Sequence, residues 1–191
     1  MKSDIILAGV GGQGILSIAT VIGEAALFDG LNIKQAEVHG MSQRGGDVQS
    51  NLRISSKEIA SDLIQKGKAD LVIALEPMEA LRYIEYLSPT GWIITNSAPF
   101  VNITNYPELE DVYAELNAFP RSIVLDVDAI AKEAKMARAA NIILLGAAAD
   151  YVGIEFEKLE DGIRRIFARK GEAVVDMNIT ALNLGRENSK K

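Results

Sequence analysis

The 191-residue chain contains no cysteine. It therefore carries no thiolate-ligated iron–sulfur cluster, cysteine-type zinc site, disulfide or thiol nucleophile, and any such chemistry must come from a partner chain. A single histidine, His39, rules out a histidine-rich metal cluster and would have to serve any Ser-His-Asp triad. Basic residues are in deficit, 20 Lys and Arg against 26 Asp and Glu, and the net charge of −6 argues against general nucleic-acid binding, which needs a dense basic face. No apolar run reaches the length of a membrane span, and Met1-Lys2-Ser3-Asp4 leads into a short strand instead of a long apolar signal segment. A soluble, cytoplasmic protein with no membrane partner is expected. Aromatics are scarce at 6%, whereas Ala, Ile, Leu and Val abound, a composition suited to parallel strands packed beneath helices.

What is present begins with glycine. Asp4 to Val10 holds five aliphatic residues in seven, and runs into Gly9-Val10-Gly11-Gly12-Gln13-Gly14 and then into the helix-compatible stretch Ile15 to Phe28. Gly9, Gly11 and Gly14 fit G-x-G-x-x-G, in which a turn without side chains lets backbone N–H groups approach an anion at the start of a helix. Close packing of helix on sheet explains one or two glycines, but not four in six positions. Ile15-Leu16 stand where a P-loop has Lys-[Ser/Thr], so triphosphate hydrolysis is not expected.

Along the chain, strands are expected at Asp4 to Val10, Asn32 to Val38, Ala69 to Leu75, Gly91 to Thr95 and Ser122 to Val127. An edge or antiparallel strand is expected around Val48 to Ile54. The first two strands with the helix between them read as a βαβ unit. Further helices are expected at Pro77 to Leu87, Glu108 to Ala118, Asp128 to Ala134 with Asp128 as cap, Asn141 to Val152, Glu155 to Ala168 and Val174 to Leu184, followed by a solvated tail from Arg186. This is an α/β chain, a Rossmann-like three-layer domain with a mostly parallel sheet and a helical C-terminal third. No linker divides residues 1–191, so a single domain is expected. Ile15 to Phe28 and Asn141 to Val152 are apolar nearly all round, which fits either a subunit interface or ordinary sheet-covering helices.

Ligands of such sheets lie beyond the carboxyl ends of the strands, where Gly9 to Gly14, His39 to Gly46, Glu76 and Thr95-Asn96-Ser97 should converge. Arg44, beside Ser42, Gln43 and Gly45-Gly46, is able to grip a phosphate or carboxylate with a charged fork and backbone donors, or to be a plain surface arginine. His39 is a switchable acid or base, or a structural histidine. Glu76 either meets a ligand or marks the entrance of the helix opened by Pro77. Glu37, 23 positions beyond Gly14, keeps open a nicotinamide-dinucleotide reading in which an acid at the end of the second strand binds ribose, against a solvated strand-end glutamate.

The glycine loop followed by Glu37-Val38-His39-Gly40-Met41-Ser42-Gln43-Arg44-Gly45-Gly46 resembles the gamma-type component of the 2-oxoacid:ferredoxin oxidoreductases. The second motif is most similar to the indolepyruvate branch. The pyruvate branch usually carries Gly-Pro-Glu before its arginine-glycine, which this chain lacks. The resemblance continues through Lys68-Ala69-Asp70, Leu75 to Arg82 and Asn141 to Gly146, and so spans most of the chain. It implies a subunit of a heteromeric enzyme that oxidatively decarboxylates a 2-oxoacid, an arylpyruvate such as indolepyruvate, to its acyl-CoA with ferredoxin as electron acceptor. Thiamine diphosphate and the iron–sulfur clusters would belong to a larger partner subunit. The chain agrees, having neither cysteine nor a Gly-Asp-Gly thiamine motif. The same resemblance implies that this component helps complete the active site and is a candidate binder of coenzyme A, through Gly9, Gly11, Gly12, Gln13 and Gly14 and through Ser42, Gln43 and Arg44. Catalytic residues are not assigned, and no resident metal is expected. The alternative is a stand-alone NAD- or nucleotide-binding Rossmann-type protein.

Overall fold

The computed structural model describes residues 1–39, 45–101 and 103–190, with only the main chain of His39. Strand β1 (Lys2–Val10) is buried at eight of its nine residues, as a strand sandwiched between two layers must be. Its alternate side chains divide the molecule. Ile5 and Leu7 face one apolar cluster, whereas Ile6 and Ala8 face another.

The other strands are β2 (Asn32–His39), β3 (Asp47–Ser55), β4 (Ala69–Ala74), β5 (Leu87–Asn96) and β6 (Ser122–Leu125), in the spatial order β2-β3-β1-β4-β5-β6. The pairs β1–β4, β4–β5 and β5–β6 are parallel, while β3 is antiparallel to both β1 and β2. The expected mostly parallel α/β sheet is present, with one departure. Strands β1 and β2 run the same way but do not touch, because β3 lies between them with Ile5 opposite Leu52 and Gln35 opposite Leu52 from the other side. The segment around Val48 to Ile54 is thus antiparallel as expected, but internal. Its Leu52 and Ile54 are fully buried, which an edge position would not provide.

Helices α1 (Ile15–Phe28), α4 (Val127–Glu133) and α5 (Ala140–Val152) cover one face of the sheet, and α2 (Pro77–Arg82) and α3 (Leu109–Asn117) cover the other. Helices α6 (Phe156–Phe167) and α7 (Glu172–Asn188) form a further layer, α6 on α1 and α7 on α5. This layer accounts for most of the apolar surface of α1 and α5 that fitted a subunit interface, since the chain covers it with its own last third. On α1, Leu16, Leu27 and Phe28 remain about half exposed, and the Arg165 guanidinium lies 3.8 Å from the centre of the Phe28 ring.

Three local expectations are corrected. Asp126, not Asp128, caps α4, accepting from the Ala129 N–H at 2.8 Å. The helix from Pro77 is a short α-helix followed by a 3-10 turn at Ile84–Tyr86, after which β5 starts early at Leu87. The solvated tail is the last turn of α7, where Arg186 pairs with Asp150 at 2.8 Å and lies over the Phe156 ring. Among the described residues, no helix is long and apolar enough to cross a membrane.

Candidate functional site

With β3 reversed, the carboxyl ends of β1, β2, β4, β5 and β6 share one edge of the sheet with the start of β3. The chain leaves β1 toward β2 on one side and reaches β4 on the other. The crevice between the ends of β1 and β4 is therefore the switch point at which open α/β sheets bind ligands. The glycine loop stands there.

Gln13 holds the loop's shape. Its Oε1 accepts from the Val10 N–H at 2.7 Å and its Nε2 donates to the Leu75 carbonyl at 3.1 Å, so both ends of the amide are bound to main chain on β1 and beyond β4. Its own N–H donates to the Val10 carbonyl, and the Gly11 N–H donates to Gly46 across the sheet edge at 2.8 Å. A Cβ on Gly9 would lie 2.8 Å from Ile15 Cδ1 and 2.9 Å from Gln13 Oε1, which accounts for the first glycine by close packing. Gly14 begins α1 in the left-handed region at φ 91°, and a Cβ there would sit 2.7 Å from Asn141 Nδ2, the group that donates to the Gly14 carbonyl. The N–H groups of Gly12 and Gly14 have no acceptor among the described residues and stand at a cleft of about 450 Å³. That cleft is also lined by Ser17, Asn96, Asp128, Arg138 and Asn141.

The convergence expected at this edge is divided in two. Asn96 belongs to the glycine-loop cleft, where its Nδ2 donates to Asp128 at 2.9 Å and, at 3.4 Å, to the same Leu75 carbonyl that Gln13 uses. Glu76 belongs to a second, smaller pocket of about 240 Å³ beside Gly45, Gly46 and Asp47. It is 1% exposed and fully committed. Oε2 caps α2 by accepting from the Glu79 N–H at 2.8 Å, and Oε1 accepts from the Tyr106 hydroxyl at 2.5 Å and the Phe100 N–H at 3.3 Å. Burial first, and the hydrogen bond to Glu76 second, push the Tyr106 phenol up, so it stays a donor. Glu76 thus anchors both the helix entrance and the long connection after β5. Thr95 is buried, with its hydroxyl donating to the Asn96 carbonyl at 3.1 Å, and Ser97 accepts from the Tyr113 hydroxyl through its carbonyl at 2.8 Å.

Glu79, in the same pocket, is 6% exposed and pairs with Arg82 at 2.9 Å. Burial pushes its carboxyl up, outweighing Arg82, which pulls it down. A carboxyl raised in the folded state favours folding while protonated, and that contribution is lost as pH climbs from its ordinary 4.5 through the raised value. Urea denaturation from about pH 4 to about pH 7 should therefore show Glu79→Gln gaining stability relative to wild type as pH rises. A pH-independent difference would remove Glu79 as the source.

The expected Ser42, Gln43 and Arg44 lie outside the described residues, as does the His39 side chain. Glu37 is exposed on β2, two strands from the glycine loop, roughly 10 Å across the sheet at the usual spacing. The ribose-binding role requires an acid on the strand next to the loop, so the inserted β3 removes its geometric basis and the nicotinamide alternative is not supported. Ser17, Asp128 and Arg138 had no assigned ligand role in the sequence, and Asn141 carried only resemblance. None has a glycine signature, and α4 and α5 reach the loop only through the fold.

A larger cavity of about 600 Å³ lies at the opposite, amino-terminal edge, lined in part by Asp4, Arg53 and Lys57. Its arginine is consumed structurally. Arg53 meets Asp4 at 2.7 Å and donates to the carbonyls of Ser61 and Leu63, tying the 56–68 connection to the sheet.

Residues 4–188 match the family of pyruvate ferredoxin/flavodoxin oxidoreductases. Indolepyruvate oxidoreductase subunit IorB of Archaeoglobus fulgidus is 38% identical over 194 residues, covering 97% of this chain and 94% of that one. The gamma subunit of a keto/oxoacid ferredoxin oxidoreductase from Geobacter sulfurreducens superposes with a TM-score of 0.71 at 25% identity, covering 98% of each chain. The 2-oxoglutarate:ferredoxin oxidoreductase of Magnetococcus marinus, solved with 2-oxoglutarate, coenzyme A and succinyl-CoA bound, shares the fold at a TM-score of 0.77 and 22% identity. This chain spans 99% of its own length but 31% of that one. The resemblance read from the two loops holds over nearly the whole chain: it belongs to the pyruvate ferredoxin/flavodoxin oxidoreductase family.

Proposed function

From that membership we propose that the chain is the subunit of a 2-oxoacid:ferredoxin oxidoreductase that holds neither thiamine diphosphate nor iron–sulfur clusters. Its substrate class is an arylpyruvate such as indolepyruvate, its product the acyl-CoA, and its setting the cytoplasm. The observation that carries this reading is the near full-length, 38% identity to an indolepyruvate oxidoreductase subunit in a chain without a single cysteine. Thiamine diphosphate and clusters then fall to a larger subunit, and ferredoxin takes the electrons from the assembled enzyme.

The contribution assigned to this chain is a coenzyme A site on the glycine-loop edge. Gly9, Gly11 and the Gln13 side chain hold the loop, and Gly12 and Gly14 offer main-chain donors. Ser42, Gln43 and Arg44 are proposed as a second set of donors. These residues bind and orient; when bound, coenzyme A supplies the thiol that receives the acyl group.

Purified alone, the chain should show no indolepyruvate-dependent reduction of a viologen dye. Combined with a cysteine-rich, thiamine-binding partner, it should support oxidation that requires coenzyme A and is faster with indolepyruvate than with pyruvate or 2-oxoglutarate. Turnover with NAD by the chain alone, or a complex equally active without it, would sink the proposal.

A further inference from the structure

Most arginines of the fold are already occupied. Arg53, Arg82, Arg164 and Arg186 pair with carboxylates, Arg121 donates to the Pro89 carbonyl and Arg165 lies on Phe28. Among the described arginines, only Arg138 and Arg169 make no side-chain hydrogen bond, ion pair or ring contact. Arg169 sits in the turn between α6 and α7, in the outer helical layer. Arg138 lines the glycine-loop cleft.

Its position is built by the chain. Helix α4 is closed by Lys135 at φ 57°, with the Met136 N–H donating to the Ala131 carbonyl at 2.7 Å. The short 3-10 turn Ala137–Ala139 then carries Arg138 between the end of α4 and the start of α5. Asp128 is the other charged group in the cleft's lining, and it faces Asn96, which donates to it. Unused donors are therefore gathered at Arg138 and at the Gly12 and Gly14 N–H groups, and the unfavourable carboxylate is held on the α4 wall. In a chain of net charge −6 no long-range field recruits an anion, so local selectivity falls to the unpaired, solvent-exposed guanidinium fork at the cleft.

We propose that Arg138 is the specificity-determining residue of this cleft, gripping a phosphate group of coenzyme A while the Gly12 and Gly14 N–H groups complete its coordination. The inference rests on the coenzyme A reading above and deepens it. Coenzyme A presents phosphate both in its diphosphate bridge and on its ribose, and the two sources are separable by ligand.

The test is calorimetry and steady-state kinetics on the reconstituted complex. Arg138→Ala should weaken coenzyme A binding about tenfold or more and raise KM for coenzyme A with kcat little changed. Arg138→Lys should fall between, and Arg169→Ala should match wild type. Pantetheine, which has no phosphate, should bind all four proteins alike. With dephospho-coenzyme A, disappearance of the Arg138→Ala effect assigns the contact to the ribose phosphate, and its persistence assigns it to the diphosphate. Hydrogen exchange separates the two levels of the reading. If coenzyme A protects the amides of residues 9–14 but Arg138→Ala binds within twofold of wild type, the role of Arg138 is overturned alone. If those amides gain no protection, the site itself is overturned.

Discussion

Replacing Gly146 with alanine is expected to lower stability by about 3 kcal/mol, or roughly 6–12 °C in the thermal midpoint of a chain this size. In an exposed helix the same change would add about 1 kcal/mol. Here the sign reverses because α5 and α7 touch backbone to backbone. A Cβ on Gly146 would fall on the Leu182 carbonyl, and one on Gly185 would fall reciprocally on the Ile143 carbonyl, each far inside contact distance. Neither main chain is able to yield without separating the helices, so Gly185→Ala should be comparably harmful. Gly23→Ala is the control. It also lies mid-helix, in α1, but its Cβ would meet only the flexible tip of Ile33 at 3.0 Å, and its effect should stay within about 0.5 kcal/mol. A Gly146→Ala protein melting with wild type would show that α5 and α7 are not so closely packed. Asn141, which holds the Gly14 carbonyl, lies in the first turn of α5, so movement of that helix also reaches the glycine loop.

Removal of the Glu76 carboxylate should cost about as much, on the order of 3 kcal/mol for Glu76→Ala. Its two oxygens serve three donors, the Glu79 N–H, the Phe100 N–H and the Tyr106 hydroxyl, at a residue 1% exposed. Alanine strands all three and leaves a void. Glutamine keeps the volume and one accepting oxygen but turns an N–H₂ toward a donor, so its cost should be intermediate. Denaturant unfolding gives the magnitudes. Hydrogen exchange at Phe100, faster in Glu76→Ala, would tie the loss to the connection after β5. An alanine variant within 1 kcal/mol of wild type would mean that this network is not what fixes the connection.

The parts of this molecule legible in the sequence were those set by local pattern. The aliphatic run into four glycines located β1, the loop and α1, and Pro77 and the polar and glycine breaks placed most other elements within a few residues. Strand order was not legible. The alternation of Val48 to Ile54 marks a strand, but its insertion between β1 and β2 is a long-range pairing that no local signal encodes, and it disqualifies Glu37. The resemblance counts Gln13 among the coenzyme A residues, whereas both ends of its side-chain amide bind main-chain atoms of Val10 and Leu75, brought together only by the β1–β4 pairing. Arg138 was silent for the opposite reason. It lies in an unremarkable Ala-Arg-Ala turn, and its significance comes from a guanidinium that makes no ion pair although Asp128 lines the same cleft. The apolar helices α1 and α5 were read correctly as buried on several sides. That their cover comes from α6 and α7 of the same chain depends on Gly146, Gly162 and Gly185, whose close approaches appear only in three dimensions.

The Gln13 brace has a kinetic meaning for whatever reaches the loop. Ordering a flexible segment costs roughly 1–2 kcal/mol per residue, and a loop that folds around its ligand meets that cost during each encounter. With the Gln13 amide joined to Val10 and Leu75 and the Gly11 N–H to Gly46, that entropy is already spent when the chain folds. Arrival of a ligand can then be limited by diffusion instead of loop closure. Gln13→Ala should show itself first as slower capture, before any contact with the ligand is lost.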